Sequence, residues 1–356
     1  MKAVTIIRSG APVAPNVELR DHEEPAPLLA HEVRVRTLAS ALNHLDLWVG
    51  KGVPGLSLEY PRVSGCDACG EVVEVGDEVD PSWVGRRVIL NAAMDVPDVE
   101  LPDAPPATSL APNFELIGEH TTPGTHAEFF TAPVEQLAVI ADDADPVQAA
   151  AFGLATLTAY SMLRTKADLQ PGQAVLITGI GGGVALASLA IAKHLGCPTI
   201  VTSRHQWKLD KAVELGADHV VLDEGADWSR AVRGFTGKRG VDVAVDSIGK
   251  ATHLWCVKSL ARGGAYVTPG CTTGSDATTD LARVFWNQLR ILGSTMGSIE
   301  EFREIAALFN AGKLGAVVDS VFAPADGAKA FERLESGGQF GKVVVDWRNT
   351  DLTSAL

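Results

Sequence analysis

Apolar and polar positions alternate in short runs over the first 140 residues and then change period. Residues 32–39 set Val33 and Val35 against Arg34 and Arg36, the period-two pattern of a strand with one wet face. Runs at 3–8, 17–19, 70–75 and 87–90 are as short, rich in Val and Ile, and separated by Pro and Gly clusters. They predict a barrel-like or partly open all-β domain. The pattern dissolves across 91–123, where DVPDVELPDAPPATSLAPN has no periodicity and predicts a long surface loop. A strand is expected again at 124–132, and an Ala-rich helix at 145–163 links the two halves.

From residue 172 the pattern becomes strand and helix in turn. Strands are predicted at 174–178, 198–203, 220–222, 241–245, 266–269 and 290–294, with helices at 184–195, 206–215, 227–235, 251–260 and 280–288 between them. Six strands joined by crossover helices make a doubly wound parallel sheet. Helices at 299–310 and 325–334 and a strand at 342–347 follow, and the expectation is that they fold back onto the first domain. The expected divisions are 1–150, 151–297 and 298–356.

The stretch from Gly172 to Arg204, GQAVLITGIGGGVALASLAIAKHLGCPTIVTSR, carries the sharpest chemistry. A strand runs into four glycines within residues 179–183 and then into a helix, whose first N–H groups and dipole favour a pyrophosphate. Against G-x-G-x-x-G/A, Gly179 and Gly181 fill two positions and Val184 stands at the third; Gly179, Gly182 and Ala185 form a shifted version. Gly181, Gly182, Gly183 and Val184 are therefore candidate nucleotide contacts. Where an NAD site places an acid at the end of the second strand, this chain has Ser203, Arg204 and, one turn on, Lys208, which suits a 2′-phosphate and hence NADP(H). The alternative is that Arg204 and Lys208 are ordinary solvated charges.

Composition narrows the class. With 356 residues the chain suits two domains, and 46% hydrophobic with 21% charged residues is that of a folded globular protein. A formal charge of −14 argues against nucleic acid or an anionic membrane as the main partner. The N-terminus turns polar after seven residues and no later apolar run is long enough to span a bilayer, and five scattered cysteines fit reduced thiols, so a cytoplasmic protein is expected.

Several spaced segments together resemble the medium-chain dehydrogenase/reductase superfamily, in its branch of zinc-type alcohol dehydrogenases and quinone oxidoreductases. They are ALNHLDLWVGKG (41–52), GCDACGEVVEVG (65–76), VGRRVIL (84–90), LIGEHTTPGTHAEF (116–129), FGLATLTAY (152–160), the glycine turn, VDSIG (245–249), ILGSTMGS (291–298) and FGKVVV (340–345). The resemblance covers essentially the whole chain. It implies an α/β protein with a GroES-like β-rich catalytic domain and a doubly wound Rossmann nucleotide-binding domain. It also implies further nucleotide contacts from Thr158, Ser247, Pro269, Gly270, Phe340 and Lys342, and a homodimer or homotetramer paired through residues 290–296.

The departures from that family concern metal. At what correspond to the catalytic zinc ligands stand Asn43, Cys66 and Leu154, and the stretch 91–130 lacks the four cysteines of a structural zinc lobe, so both sites look erased. A makeshift set of His44, Cys66 and Asp67 is the remaining metal reading; otherwise Cys66 and Cys69 are small core thiols. By resemblance, Asn43, His44, Asp46, Trp48 and Lys51 line the substrate cleft. His44 is a candidate proton donor, since an unperturbed imidazole titrates near neutrality. The competing view is that His44 bonds a neighbour while Asp46 ties the loop. His120 and His126 are weaker candidates. Without a Lewis acid, a conjugated acceptor whose developing charge is spread out is the easier substrate, so the expectation is NADPH-dependent reduction of a small-molecule enone or quinone. Alternatives are an alcohol dehydrogenase with an atypical zinc site and a protein that holds NADPH without turnover.

Overall fold

The computed structural model describes residues 1–53, 55–94 and 114–348. The chain divides into two compact units, Met1–Leu154 with Ser298–Leu356, and Ala155–Gly297.

The first unit opens with β1 (Lys2–Ile6) and β2 (Val17–Asp21), an antiparallel pair, and continues with β3 (Glu32–Ala41), α1 (His44–Lys51), β4 (Ala68–Val75), β5 (Arg87–Leu90), β6 (Ala93–Met94), β7 (Glu115–Leu116), β8 (Phe129–Pro133) and β9 (Leu137–Val139). β3 shows why alternation was informative: Val33 and Val35 are buried while Arg34 and Arg36 reach Glu74 and Glu71 on the outer face. Helix α1 was not foreseen as a helix. Its second half carries Gly50, a poor helix residue, retained because a Cβ there would lie 2.3 Å from Val13 Cγ1. The predicted strand at 124–132 forms only in its second part. Residues 124–126 pair singly instead, their N–H groups donating to the carbonyls of Val63, Gly65 and Ser64. Most of the predicted surface loop, 95–113, lies outside the described residues.

α2 (Pro146–Tyr160) is entered before the division and left after it. The second unit then runs β10 (Val175–Ile177), α3 (Gly183–His194), β11 (Thr199–Ser203), α4 (Gln206–Glu214), β12 (His219–Leu222), α5 (Ser229–Phe235), β13 (Val241–Val245), α6 (His253–Ser259), β14 (Leu260–Thr268), α7 (Leu281–Asn287) and β15 (Arg290–Gly293). All pairings are parallel, in the order β12-β11-β10-β13-β14-β15. VLI and TIVTS are buried throughout because helices cover both faces, as an all-parallel sheet requires.

The return segment supplies α8 (Ile299–Asn310), β16 (Val318–Phe322), α9 (Gly327–Glu335) and β17 (Lys342–Asp346) to the first unit. β17 pairs antiparallel with β3, completing a seven-stranded sheet of order β16-β17-β3-β4-β5-β9 with β8 on β3. Phe331, Val343 and Trp347 enter the same core as Val4, Leu42 and Leu47. That pairing brings Lys342 level with the end of β3.

Candidate active site and nucleotide cradle

In the first unit the polar cluster begins where β3 passes into α1. Asn43 is the N-cap of α1, and the Asp46 carboxylate at the third helical position accepts the Asn43 N–H at 2.7 Å, satisfying one orphan donor of the helix start. Asp46 is 1% exposed. Burial works to raise its pKa, but His126, the Asn43 N–H and Ser64 outweigh it and hold the carboxyl below the usual carboxylate range.

Behind Asp46 lies a buried relay. Trp347 Nε1 donates to Ser40 Oγ at 3.0 Å, and Ser40 Oγ lies 2.9 Å from His126 Nδ1. On the other side of the ring, His126 Nε2 faces Asp46 Oδ1 at 3.4 Å without forming a hydrogen bond. His126 is thus a central group of this cluster, although residue type alone ranked it low.

The other arm is built on Asp67, fully buried at the start of β4. Its Oδ1 accepts the Leu154 N–H at 2.6 Å, and its Oδ2 accepts from Asn43 Nδ2 at 2.9 Å and from Lys342 Nζ at 2.8 Å. Lys342 Nζ also donates to Asn43 Oδ1 at 2.5 Å, while Asn43 Nδ2 reaches Cys66 Sγ at 3.4 Å. Gly153 permits this approach of α2, because a Cβ there would stand 2.5 Å from Asp67 Oδ1. Burial, then the charges of Asp46 and Asp67, push the Cys66 thiol well up, and burial pushes Cys69 to about 12; both are thiols at neutral pH. Lys342, a nucleotide contact by resemblance, has its ammonium engaged by Asp67 and Asn43 in this structure.

His44, the first residue of α1, is exposed, with Trp48 edge-on at 6.0 Å. Neighbouring protein still desolvates the ring, and that desolvation followed by the Lys51 charge lowers its pKa below the ordinary 6.5. It does not join Cys66 and Asp67: among the described residues no group of three or more His, Cys, Asp and Glu side chains is placed to hold a metal ion. His120 is held apart, its Nδ1 accepting the Leu116 N–H at 3.1 Å.

In the second unit the glycine turn leads from β10 to α3. Gly179 and Gly181 have φ of 64° and 116°, left-handed conformations that side chains resist, Gly182 caps α3 and Gly183 opens it, followed by Val184. The Lys208 side chain reaches Gly181: a Cβ there would sit 2.9 Å from Lys208 Cδ and 3.3 Å from Lys208 Nζ. The buried Lys208 thus lies beside the glycine turn that opens α3, and a helix start is a position where N–H groups and a nearby cation can receive an anion. Ser203 is buried and accepts the His205 N–H at 3.2 Å, while Arg204 is exposed at the end of β11. Lys208 and Lys211 both lie over the Trp207 ring, at 5.3 and 5.5 Å.

A residue that sequence reading passed over organises the neighbouring loop. Asp246, fully buried at the end of β13, accepts from Thr178 at 2.6 Å, Thr252 at 2.8 Å and Tyr266 at 2.9 Å, and from the N–H groups of Ile248 and Gly249 at 3.1 and 3.3 Å. It ties three strand ends around Ser247; the signal available was its place in VDSIG. Pro269 and Gly270 follow β14 half-buried, Thr158 on α2 points its hydroxyl at Met296 Sδ, 3.9 Å away, and Phe340, in the first unit, donates its N–H to Asp319.

Residues 29–142 match the family described as alcohol dehydrogenase GroES-like domain, and residues 183–311 match the family described as zinc-binding dehydrogenase. The chain is 30% identical to the zinc-type alcohol dehydrogenase-like protein YogA of Leptosphaeria maculans, over 93% of this chain and 94% of that one. It is 27% identical to a crotonyl-CoA carboxylase/reductase of Cereibacter sphaeroides, over 88% of this chain and 81% of that protein. The crystal structure of an NAD-dependent alcohol dehydrogenase superposes with a TM-score of 0.90 at 37% identity, covering 98% of this chain and 100% of that one. The zinc in that family description does not fit the described residues, because an amide, a leucine and a buried ammonium paired with the local carboxylate leave no suitable ligand set among them. In fold, in glycine turn and in sequence over nearly its full length, the chain belongs to the medium-chain dehydrogenase/reductase superfamily and is a pyridine-nucleotide-dependent oxidoreductase.

Proposed function

We propose that the protein is an NADP(H)-dependent, zinc-independent reductase that adds hydride to the β carbon of an α,β-unsaturated carbonyl or to a quinone. The observation that supports this best is the closed cluster of Asn43, Asp67 and Lys342, in which the protein's own ammonium takes the amide oxygen at the first ligand position and the carboxylate beside the second. An isolated carbonyl then lacks the polarisation worth several kcal/mol that a metal supplies, whereas a conjugated acceptor needs only hydrogen bonds to its delocalised charge. The nucleotide, when bound, supplies the hydride. Gly181, Gly182, Gly183 and Val184 would hold its pyrophosphate, and Arg204 and Lys208 its 2′-phosphate. His44 is the group left to face the acceptor: its exposed imidazole donates a hydrogen bond to the developing enolate and protonates it when itself protonated. Asn43, whose amide is engaged on both sides, and Asp46, which caps α1, position His44 rather than touch the acceptor.

NADPH oxidation measured with small enones and quinones beside saturated aldehydes and alcohols tests the reading. Turnover of the conjugated acceptors is expected. Turnover of saturated substrates alone would favour an alcohol dehydrogenase, and NADPH binding without any turnover a binding protein.

The assembly we infer is a homodimer, alone or within a tetramer. β15 is the edge of the six-stranded sheet among the described residues, and Ile291 on it is 45% exposed. Beside it α7 exposes Leu281, Phe285 and Trp286 at 70% or more, an apolar surface that a second copy continuing the sheet would cover. A reducing, cytoplasmic setting is proposed from free, buried Cys66, Cys69, Cys197 and Cys256.

A further inference from the structure

Lys342 has the surroundings of a bound ion rather than of a surface lysine. It is 5% exposed, Asp67 is fully buried and Asn43 is 9% exposed, so the charge pair is almost wholly removed from water. Such a pair persists only if each charge is met by the other and by further hydrogen bonds. Here each demand is met: the ammonium has the Asp67 carboxylate and the Asn43 carbonyl, and the carboxylate has in addition the Leu154 N–H and the Asn43 amide N–H. The ammonium also fixes the orientation of the Asn43 amide, since the oxygen must face the positive charge; the nitrogen is thereby turned to Asp67 and the Cys66 sulfur. Two oxygens, Asn43 Oδ1 and Asp67 Oδ2, converge on one cation, and that cation is covalently part of the chain, with the Cys66 sulfur next to it on the Asn43 amide nitrogen.

We propose that Lys342 is the resident cation of this site: its ammonium occupies the oxygens of Asn43 and Asp67, beside Cys66, and by occupying them keeps divalent metal ions out. Removing the ammonium leaves a buried carboxylate and an amide oxygen around a volume without positive charge, with a thiol in the same cluster, an arrangement that draws in a cation. Lys342 is in this sense a positioning residue for Asn43 and α1, held in place of a metal. The inference builds on the zinc-independent reading above, but metal uptake and melting do not depend on turnover, so the two can fail separately.

The test uses the full chain as wild type, Lys342→Met, Lys342→Met with Asp67→Asn, and Lys342→Arg, each dialysed against Zn²⁺ or against a chelator. Bound metal is read by elemental analysis and stability by thermal melting. The wild type and Lys342→Arg are expected to retain no stoichiometric zinc and to melt at the same temperature in zinc and in chelator. Lys342→Met is expected to take up about one equivalent and to gain roughly 5 °C or more in Tm at zinc about a hundredfold above its Kd, a gain lost with Asp67→Asn. Recovery of folded Lys342→Met only in the presence of zinc supports the proposal equally. Stoichiometric zinc in the wild type, with a melting point that falls on chelation, overturns it, as does a folded Lys342→Met indifferent to zinc. If Lys342→Met stays unfolded under all conditions, Lys342→Ala melted with and without methylammonium decides: saturable stabilisation by that cation supports the proposal, and its absence overturns it.

Discussion

At the scale of single residues, His44 is pulled two ways by its position. Proton donation needs the imidazolium, yet desolvation and the Lys51 charge hold the pKa below 6.5, so at neutral pH the ring is mainly neutral and acts as a hydrogen-bond donor. Enone reduction should therefore speed up as pH falls through that depressed pKa. Lys51→Met removes one of the two causes and should move the rise to higher pH; a profile unchanged by it would show that the ring is not the titrating group. His44→Ala should lower kcat by roughly tenfold to a thousandfold while leaving the NADPH Kd unchanged. The resemblance singled out ALNHLDLWVGKG as a candidate substrate-cleft segment, but not which of its side chains turn inward. Asn43 and Asp46 do, and His44 turns outward.

At the scale of elements, the strand–turn–helix from β10 to β11 presents its two cations differently. Arg204 is exposed, whereas Lys208 is packed against the glycine turn. NADPH should bind at least about tenfold more tightly than NADH, about 1.4 kcal/mol, and Arg204→Ala should close most of that gap. Lys208→Met should instead weaken both nucleotides, since its ammonium lies beside the phosphate turn that both would use. Calorimetric titration of each variant with each nucleotide checks this; equal wild-type affinities would refute the 2′-phosphate assignment. A second element-level device joins β16 to α9. Burial acts to raise the Asp319 pKa, but the paired Arg333 nitrogens at 2.9 and 2.8 Å and the Phe340 N–H hold it at about 2. Because the folded pKa lies below the unfolded value, the resulting stability is present above about pH 4 and fades as pH falls towards 2. The Tm difference between wild type and Asp319→Asn should therefore be constant from pH 5 to 7 and shrink below pH 4. A difference independent of pH would assign the effect to shape rather than charge.

At the scale of the whole molecule, the exposed apolar residues of α7 and the edge of β15 are costly to leave in water. Light scattering at micromolar concentration is expected to give a dimeric or tetrameric mass, and Ile291→Lys, which places a charge on the edge strand, should shift it towards the monomer. A monomeric wild type would count against the assembly. Local pattern carried the second unit nearly element for element, since strands buried on both faces and helices of 3.6 period leave strong signals. It did less well in the first unit. β16 and α1 were missed because short, partly exposed or glycine-containing segments have weak periodicity, and 124–132 was extended too far because its first residues pair without forming a ladder.

The sequence by itself determined the parallel sheet, the glycine turn, the switch of period between the units and the family, because burial repeats with the geometry of each element and so is written locally. The tertiary structure alone decided that Lys342 meets Asn43 and Asp67 across 299 and 275 positions, and that Ser40, His126 and Trp347 share one relay. Each of those polar residues, read singly, is indistinguishable from a solvated one. Their partners come from distant strands, and the demand that a buried charge be satisfied arises only after the sheet has excluded water.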